Sequence, residues 1–528
     1  MFTSPYPDEV IPKLSVFDFL FTELNADDAE RVALVDGPSG AETTYGALKA
    51  QIELLAGALA ARGIGIGDVI ALHSPNVPAF ATVFHGILRS GATATTVNAL
   101  YTGEEMARQL QDSKAKMLFT VSPLLPVASV AAAAAGIPDS QIVVLDGFEG
   151  YTGLRDLLGE GHAAPDVSFD PSTHVAVIPY SSGTTGFAKG VMLSHTNLVA
   201  NVVQCTPVLD ASPEDRILAF LPFFHIYGMT VLLNLAFSRH AALVTLPRFD
   251  LPQFLQVIVD QKVTFIFIAP PVAVALAKHP IVDQFDLSGV RGMMSGAAPL
   301  SEALANAVVA RLGTHMQQGY GMSELSPVSH VIPPDRDDLS RGTIGFPIAN
   351  IECKLVNVDT GVEIEMPEEG SSEPGELWVR GPNVMLGYLG RDDATHETVD
   401  DDGFLHTGDI AQVNHDGSFE IVDRLKELIK YKGYQVAPAE LEALLLTHPR
   451  IADAAVVGSH DAEGEEVPKA FVVVQSGSEI SADEVMAFVA EQVAPHKKIR
   501  QVAFIDTIPK SSSGKILRKD LRSQEVPA

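Results

Sequence analysis

A segment rich in glycine, serine and threonine, YSSGTTGFAKG at positions 180–190, contains the residue types that hold a polyphosphate. Its glycines let backbone N–H groups approach a ligand, and its hydroxyls and lysine supply donors and positive charge. The residues concerned are Ser181, Ser182, Gly183, Thr184, Thr185, Gly186 and Lys189. Two residues separate the second glycine from the lysine, and no Ser or Thr follows it, so this is not a Walker loop. Taken alone, the pattern is equally typical of a turn without a ligand.

Positive charge is bunched in the last fifth of the chain. The 528 residues have a net charge of −30, yet residues 424–528 contain 14 Lys and Arg against 15 Asp and Glu. The bunches are Arg424, Lys426, Lys430 and Lys432, then Lys497, Lys498 and Arg500, then Lys510, Lys515, Arg518 and Lys519. They predict a second domain that meets anions, although a solvated basic face would have the same composition. The acidic remainder argues against nucleic acid or an anionic membrane as the main partner.

The elements that must position these residues are indicated by the periodicity of apolar residues. Apolar runs rich in β-branched residues, such as QIVVLD, AALVTL and VTFIFIA, alternate with helical patterns, which predicts an α/β fold with a parallel sheet covered on both faces. Short alternating strands with Gly, Asp and Asn turns predict a β-rich subdomain over residues 343–423. Mixed helices and strands follow. We therefore predict a large domain at 1–423 and a small α+β domain at 424–528.

Cysteine content and apolar segments indicate the compartment. Cys205 and Cys353 are far apart and form neither a disulfide framework nor a metal-ligand cluster. The N-terminus has no basic region followed by an apolar run, and the longest apolar stretch, 263–277, is interrupted by two prolines. We expect a cytoplasmic protein without a membrane span.

Five motifs occur in the order and spacing of the adenylate-forming superfamily. They are YSSGTTGFAKG, QGYGMSE (318–324), FLHTGDIA (404–411), VDRLKELIKYKGYQVAPAELE (422–442) and PKSSSGKILRKDLR (509–522). Over nearly its whole length the chain most resembles the 4-coumarate:CoA ligases and their bacterial cinnamate relatives, on the stretches FFHIYG, SGAAPL and GYQVAPAELEALLLTHP. The resemblance implies a carboxylic acid:CoA ligase that uses ATP, CoA and Mg²⁺ and acts as a monomer or homodimer.

The resemblance assigns nucleotide-binding roles. The loop at 181–186 with Lys189 would hold the β and γ phosphates, and Ser323 a phosphate oxygen. Glu324 would help hold Mg²⁺, Tyr320 would stack on adenine, and Asp409 would accept the ribose hydroxyls beside Arg424. Gln318 and Gly319 belong to the same motif and complete the nucleotide set. Considered individually, these residues have other common roles: Ser323 with Glu324 is typical of a helix cap, Tyr320 of a core aromatic residue and Asp409 of a turn.

The resemblance also divides the two half-reactions between two faces of the small domain. Lys515 would neutralise charge at the reacting carboxylate and α-phosphate during adenylation. The small domain would then rotate about Lys426, after which Lys430 contacts the adenylate. Arg248, Lys432 and Gly433 match CoA contacts.

The acid pocket is where relatives differ. His225 matches a histidine near the substrate carboxylate, and pocket walls match Tyr227, Thr230, Met294, Gly296, Ala297, Gly319, Gly321, Pro327 and Val328. Relatives that act on hydroxycinnamates commonly carry Asn at the Thr230 position and Lys at the Met294 position. A more apolar pocket favours a less hydroxylated cinnamate or an aliphatic acid.

Cinnamate or 4-coumarate is therefore the expected acid, with a medium-chain fatty acid as the alternative. An acyl-AMP ligase that loads a carrier protein, a luciferase, and a non-catalytic nucleotide- or acyl-CoA-binding regulator are further alternatives.

Overall fold

The computed structural model describes residues 1–181, 188–431, 434–461, 466–511 and 514–523. Its first large sheet has nine strands, with a parallel centre formed by Thr93–Val97, Val69–His73, Met117–Thr120 and Ile142–Val144. The remaining strands are Thr152–Gly153, Val175–Val177, Tyr180–Ser181, Lys189–Ser194 and Gly387–Tyr388. The helices that accompany these strands in the chain are Tyr45–Ala61, Pro78–Arg89, Gly103–Asp112, Leu125–Ala134, Leu154–Gly159 and His195–Cys205.

A second nine-stranded sheet carries most of the candidate site at the carboxyl ends of its parallel strands. Its order is Phe346–Pro347, Val328–Val331, His315–Gly321, Gly292–Ser295, Phe265–Ile268, Arg216–Ala219, Ala242–Thr245, Val32–Asp36 and Glu42–Thr44. The associated helices are Val16–Phe21, Ala26–Glu30, Tyr227–Asn234, Leu235–Ser238, Leu251–Asp260, Pro270–Lys278 and Glu302–Leu312. All four residues of Phe265–Ile268 are buried, which explains its uninterrupted apolar sequence.

The six-stranded third sheet occupies the region in which the sequence predicts a β-rich subdomain. Its strands are Phe2–Thr3, Glu352–Val356, Glu363–Ile364, Gly375–Arg380, Leu405–Val413 and Phe419–Arg424, and the helix Asp392–Thr398 precedes the long strand. The N-terminal strand was not expected here. It pairs antiparallel with Glu352–Val356, with Phe2 opposite Cys353.

Residues after Arg424 form smaller sheets around their own apolar core. Ile429–Tyr431 pairs with Tyr434–Val436, and a three-stranded sheet contains Ile451–His460, Glu466–Val474 and Gln501–Phe504. The helices are Pro438–Thr447, Ala482–Ala490 and Arg518–Arg522. Leu441, Leu445, Val456, Val472 and Val485 are buried together. The exact boundary at residues 423 and 424 stays a prediction.

The predicted α/β class with parallel sheets is confirmed. Helix signals in the sequence mark real ends: Pro78 begins one helix, and Ser481 with Glu484 forms a capping box at another. Cys205 and Cys353 are buried free thiols. Within the described ranges, the helices are too short or too polar to cross a membrane.

Candidate active site

The glycine-rich segment is framed by a pair of antiparallel strands. Tyr180–Ser181 pairs with Lys189–Ser194, and Ser181 lies opposite Lys189. The five loop residues Ser182, Gly183, Thr184, Thr185 and Gly186 lie outside the described residues. The Lys189 Nζ atom lies 3.9 Å from the centroid of the Tyr388 ring, which sits at the neighbouring strand Gly387–Tyr388. Tyr388 therefore fixes the cation at the end of the loop.

The same tyrosine connects the loop to Glu324. The Tyr388 hydroxyl donates to Glu324 Oε1 at 2.8 Å, and the Met385 N–H donates to the Glu324 carbonyl at 2.9 Å. Burial and the charge of Glu324 raise the pKa of Tyr388, so the phenol stays a donor. Ser323 and Glu324 are both buried, in the short turn Ser323–Leu325. No pattern in the sequence indicates that Tyr388 joins Lys189 to Glu324.

Glu324 suits a magnesium ion that is held mainly by phosphates. Its carboxylate is a hard oxygen donor, and Mg²⁺ usually binds one or two carboxylates together with substrate phosphates and water. Across the part of the chain that the structure describes, no group of three or more His, Cys, Asp or Glu side chains is arranged to hold a metal ion. A dedicated protein cage is therefore absent from those residues, and the donor set fits a metal that arrives with a nucleotide.

Asp409 lies at the centre of a second polar group. The Tyr320 hydroxyl donates to Asp409 Oδ2 at 2.6 Å, and Arg424 Nε lies 3.4 Å from Asp409 Oδ1. Asp409 and Arg424 are register partners on adjacent strands. Burial, followed by the charge of Asp409, raises the pKa of Tyr320. A carboxylate that already accepts hydrogen bonds is suited to accept ribose hydroxyls.

The turn before Asp409 is held by residues that the sequence did not single out. Gly408 has a φ of +69°, and its N–H donates to Glu376 Oε1 at 3.0 Å. The other oxygen of Glu376 accepts from the Trp378 indole at 2.8 Å, and Trp378 stacks on His406 with centroids 3.7 Å apart. Alternation in GELWVRG indicates a strand but says nothing about this contact. Glu376 therefore positions the Asp409 turn.

Gln318 uses its side chain inside the protein. Its Oε1 accepts from the Leu300 N–H at 2.6 Å, and its Nε2 donates to the Thr343 carbonyl at 2.9 Å. The residue is 2% exposed. It joins the segment after strand Gly292–Ser295 to the segment that enters the β-rich sheet, so in this structure the side chain positions the loops around Gly319 and Tyr320.

The predicted acid pocket is walled by residues without room for larger side chains. A Cβ on Gly319 would lie 2.2 Å from Met294 Cε, and a Cβ on Gly296 would lie 3.0 Å from Tyr227 Cζ. A Cβ on Gly321 would lie 2.1 Å from the Pro327 carbonyl oxygen, which is backbone and cannot move aside. A side chain at position 321 would therefore require a backbone shift, whereas at positions 296 and 319 the Tyr227 ring and the Met294 methyl group would have to move aside.

The remaining pocket residues lie on a helix, in the segment after strand Gly292–Ser295 and at the start of strand Val328–Val331. Tyr227 and Thr230 belong to the π-helix Tyr227–Asn234, a wide form of helix that is frequent at functional sites. Both are buried, and the Tyr227 hydroxyl lies 3.4 Å from the Met294 carbonyl oxygen. Within the described residues, the Thr230 hydroxyl has no hydrogen-bond partner. Ala297 has a φ of +69°, and Val328 is buried directly after Pro327.

Lys515 is brought to this site from the C-terminal part of the chain. A tight turn presents it: the Ser511 N–H donates to the Lys515 carbonyl at 2.8 Å, and the Lys515 N–H donates to Ser511 Oγ at 3.1 Å. Burial lowers the pKa of Lys515 to about 8, helped by the charge of Arg424 and opposed by Asp409 and Glu324. Burial, followed by the charge of Lys515, lowers the pKa of His225 to about 3. His225 is thus neutral.

Other predicted residues lie away from this group. Lys426 and Lys430 are exposed, and the Lys430 N–H donates to Glu466 Oε2 at 2.9 Å. Arg248 is exposed beyond strand Ala242–Thr245. Across the described ranges, the hydrogen bonds and ion pairs of Asp409 and Glu324 are made by other side chains, among them Tyr320, Tyr388 and Arg424. Lys432 and Gly433 lie outside the described residues. In this structure it is therefore Lys515, and not Lys430, that lies near the site residues of the large domain.

The lowered pKa of Lys515 predicts a pH dependence. The ammonium loses its proton as the pH rises through about 8, so the positive charge is present below this value and lost above it. We expect kcat/KM for the first chemical step to fall about tenfold per pH unit above about pH 8. Release of pyrophosphate in the absence of thiol would measure it. In Lys515→Arg, kcat/KM is expected to stay constant above about pH 8, because arginine keeps its charge. A decrease of kcat/KM that persists in this variant would assign the titration to another group.

Comparisons with known proteins agree with the arrangement. A family model described as AMP-binding enzyme matches residues 21–389, and one described as AMP-binding enzyme C-terminal domain matches residues 440–515. The chain is 42% identical to 4-coumarate--CoA ligase 1 of Solanum tuberosum, over 99% of this chain and 96% of that protein. It is 40% identical to 4-coumarate--CoA ligase 5 of Oryza sativa subsp. japonica, over 99% and 97%.

Solved structures share the fold. An anthranilate CoA ligase, AuaEII, solved in complex with anthranoyl-AMP, superposes with a TM-score of 0.89 at 26% identity, covering 97% of each chain.

Proposed function

The chain belongs to the family of AMP-binding enzymes and is an AMP-forming, ATP-dependent acid:CoA ligase, and we propose that the acid it activates is cinnamate or a 4-coumarate-like acid. One observation carries the reaction: Lys515 from the small domain lies close enough to Asp409 and Glu324 of the large domain for their charges to act on it. A cation between a nucleoside-binding and a phosphate-binding group is placed for the reaction of a carboxylate with ATP.

In the first half-reaction the acid's carboxylate oxygen attacks the α-phosphorus of ATP. The bond to the bridging oxygen of pyrophosphate breaks, and acyl-AMP forms. Asp409, Tyr320 and Arg424 would hold the nucleoside, and Lys189 with the loop at 181–186 the outer phosphates. Lys515 would neutralise the charge that accumulates on the pentavalent phosphorus. Glu324 would hold Mg²⁺, which supplies further charge neutralisation at the phosphates.

In the second half-reaction the CoA thiolate attacks the acyl carbon and AMP leaves, which yields acyl-CoA. The CoA-binding residues proposed are Arg248, Lys432 and Gly433, with Lys430 on the adenylate after rotation about Lys426. The exposed positions of Lys426 and Lys430 support this division, because they leave both side chains outside the site that Lys515 occupies. We propose the small domain at 424–528 as the rotating part.

A flat, slim acid is supported by the close walls of the pocket. Tyr227 lies against Gly296 and Met294 lies against Gly319, so the walls are close together at both glycines. Aromatic acids are also what the 4-coumarate ligases and the anthranilate ligase are named for. A medium-chain fatty acid stays the second candidate, because Met294 and Thr230 offer little polarity to a ring hydroxyl.

A panel of acids tests the substrate. We expect the highest kcat/KM with cinnamic or 4-coumaric acid and lower values with benzoic and C6–C14 fatty acids, measured as acyl-CoA by mass spectrometry. A preference for the fatty acids would overturn the aromatic assignment. Formation of acyl-AMP without any acyl-CoA would indicate transfer to a carrier protein instead.

Met294→Lys tests whether the side chain at position 294 faces the aromatic ring of the acid. A lysine at this position would offer a donor to a ring hydroxyl, so we expect 4-coumarate to gain about tenfold in kcat/KM relative to cinnamate. Met294→Leu keeps the pocket apolar and should leave that ratio unchanged. If the hydroxylated acid gains nothing in Met294→Lys, Met294 does not face the ring.

A further inference from the structure

The helix Pro270–Lys278 of the large domain touches the small domain at both of its ends. At its start, a Cβ on Gly514 would lie 3.3 Å from Ala269 Cβ and 3.4 Å from Pro271 Cδ. At its end, Lys278 Nζ donates to the Leu446 carbonyl at 3.1 Å and lies 3.5 Å from the Ile451 carbonyl oxygen. Because Gly514 directly precedes Lys515, the first contact is made by the turn that presents the catalytic lysine.

The end of this helix is anchored firmly on the large domain. Arg311, on the neighbouring helix Glu302–Leu312, donates to the Leu276 carbonyl at 2.9 Å and to the His279 carbonyl at 3.0 Å. The same guanidinium pairs with Asp283 at 2.7 Å. The backbone on both sides of Lys278 is thus fixed, and its side chain extends from a fixed base toward the small domain.

The acceptors on the small domain suit a cation. Leu446 lies in the last turn of helix Pro438–Thr447, where unsatisfied carbonyls carry negative partial charge. Ile451 begins the next strand, and Asp453, two residues further, adds a carboxylate whose charge acts on Lys278. These contacts join the two domains in the orientation seen here.

The same carboxylate also leads to the catalytic turn. Lys510 Nζ donates to Asp453 Oδ2 at 2.6 Å, and the Lys510 backbone bridges Ile516. That bridge and the hydrogen bonds between Ser511 and Lys515 hold the backbone on both sides of Lys515. The place where Lys278 binds and the turn that carries Lys515 therefore belong to one connected piece of the small domain.

We propose that Lys278 is a positioning residue for the first half-reaction: it holds the small domain in the orientation in which Lys515 meets the acid and ATP. The inference rests on the proposed function. Rotation about Lys426 would carry Leu446 and Ile451 away, while Lys278 stays with the large domain. Lys278 is exposed, so the contact is weak enough to break in each turnover.

Lys278→Met tests the proposal by separating the half-reactions. We expect single-turnover formation of acyl-AMP to slow about fivefold, and conversion of supplied 4-coumaroyl-AMP to its CoA ester to keep its rate or rise. Lys278→Arg, which restores a donor, should recover most of the first rate. Equal loss in both half-reactions, or no loss in either, would overturn the proposal.

The matched control is Lys262→Met, at an exposed lysine of the large domain in the turn before strand Phe265–Ile268. The rates of both half-reactions in this variant should equal those of the wild type. If the wild type itself forms no CoA ester from any acid in the panel, the proposed function fails. If the wild type is active and Lys278→Met shows no split, only the role of Lys278 fails.

A distance measurement gives a readout that does not depend on activity. Spin labels at Gln256→Cys on the large domain and Ala487→Cys on the small domain would report their relative orientation, since both positions are exposed. The native Cys205 and Cys353 are buried, and burial raises the pKa of both thiols, so they resist labelling. Lys278→Met should deplete the distance that belongs to the present orientation, and Lys262→Met should not. An unchanged distribution in Lys278→Met would contradict the proposal.

Discussion

Replacing Lys515 with alanine is expected to slow acyl-AMP formation by about a hundredfold to a thousandfold, the usual effect of removing one preorganised charge at a transition state. The same variant should convert supplied acyl-AMP to acyl-CoA at close to the wild-type rate, because in the proposed mechanism the CoA thiol enters after the small domain has turned Lys515 away. Pyrophosphate release and mass spectrometry of acyl-CoA measure the two steps separately.

Lys519→Ala is the matched control for Lys515→Ala. Lys519 is an exposed lysine four residues further along, on helix Arg518–Arg522. Its loss should change neither step. If Lys515→Ala lowers both half-reactions by the same factor while its circular dichroism stays native, the division of labour between two domain orientations is wrong.

Asp409→Asn is expected to raise the KM for ATP by about tenfold to a hundredfold, with a smaller effect on the KM for the acid. The asparagine keeps the shape of the side chain but replaces one acceptor oxygen by a donor. Hydrogen bonds to charged groups contribute about 1.5–3 kcal/mol each, and a ribose presents two hydroxyls. Steady-state kinetics with each substrate varied in turn would measure the change.

Two variants separate binding from folding at this position. Asp392→Asn removes an exposed carboxylate from helix Asp392–Thr398 and should leave the KM for ATP unchanged. Tyr320→Phe removes the donor to Asp409 but keeps its carboxylate, so its KM for ATP should rise less than in Asp409→Asn. A lower Tm in Asp409→Asn with an unaltered KM would assign Asp409 to stability.

The alternation of strands and helices was predictable because a buried parallel strand needs apolar side chains on both faces. Phe265–Ile268 reads FIFI for this reason, and the prolines that follow it begin the next helix instead of interrupting a membrane span. The strand Phe2–Thr3 carries no such signal. Two residues are too few to form a pattern, and their partner strand lies at Glu352–Val356.

The sequence motifs indicate separate groups of candidate site residues, and tertiary packing determines which of these residues contact one another. Tyr320 and Asp409 were separate candidates, and a hydrogen bond joins them across 89 residues. Tyr388 and Glu376 were not candidates, because each acts through a neighbour that only the folded chain supplies. The roles of Arg248, Lys426 and Lys430 stay predictions, since they are proposed for a second orientation of the small domain.

The second large sheet has a consequence for synthesis on the ribosome. The strand Val32–Asp36 lies beside Ala242–Thr245, and a hydrogen bond joins Thr245 to Val35 across 210 residues. The early strand therefore leaves the ribosome long before its parallel partner exists, and its unpaired edge stays open for the whole interval. Contacts of such separation fold slowly, and open edges aggregate. This edge of the early strand is covered only once residues up to 245 have emerged.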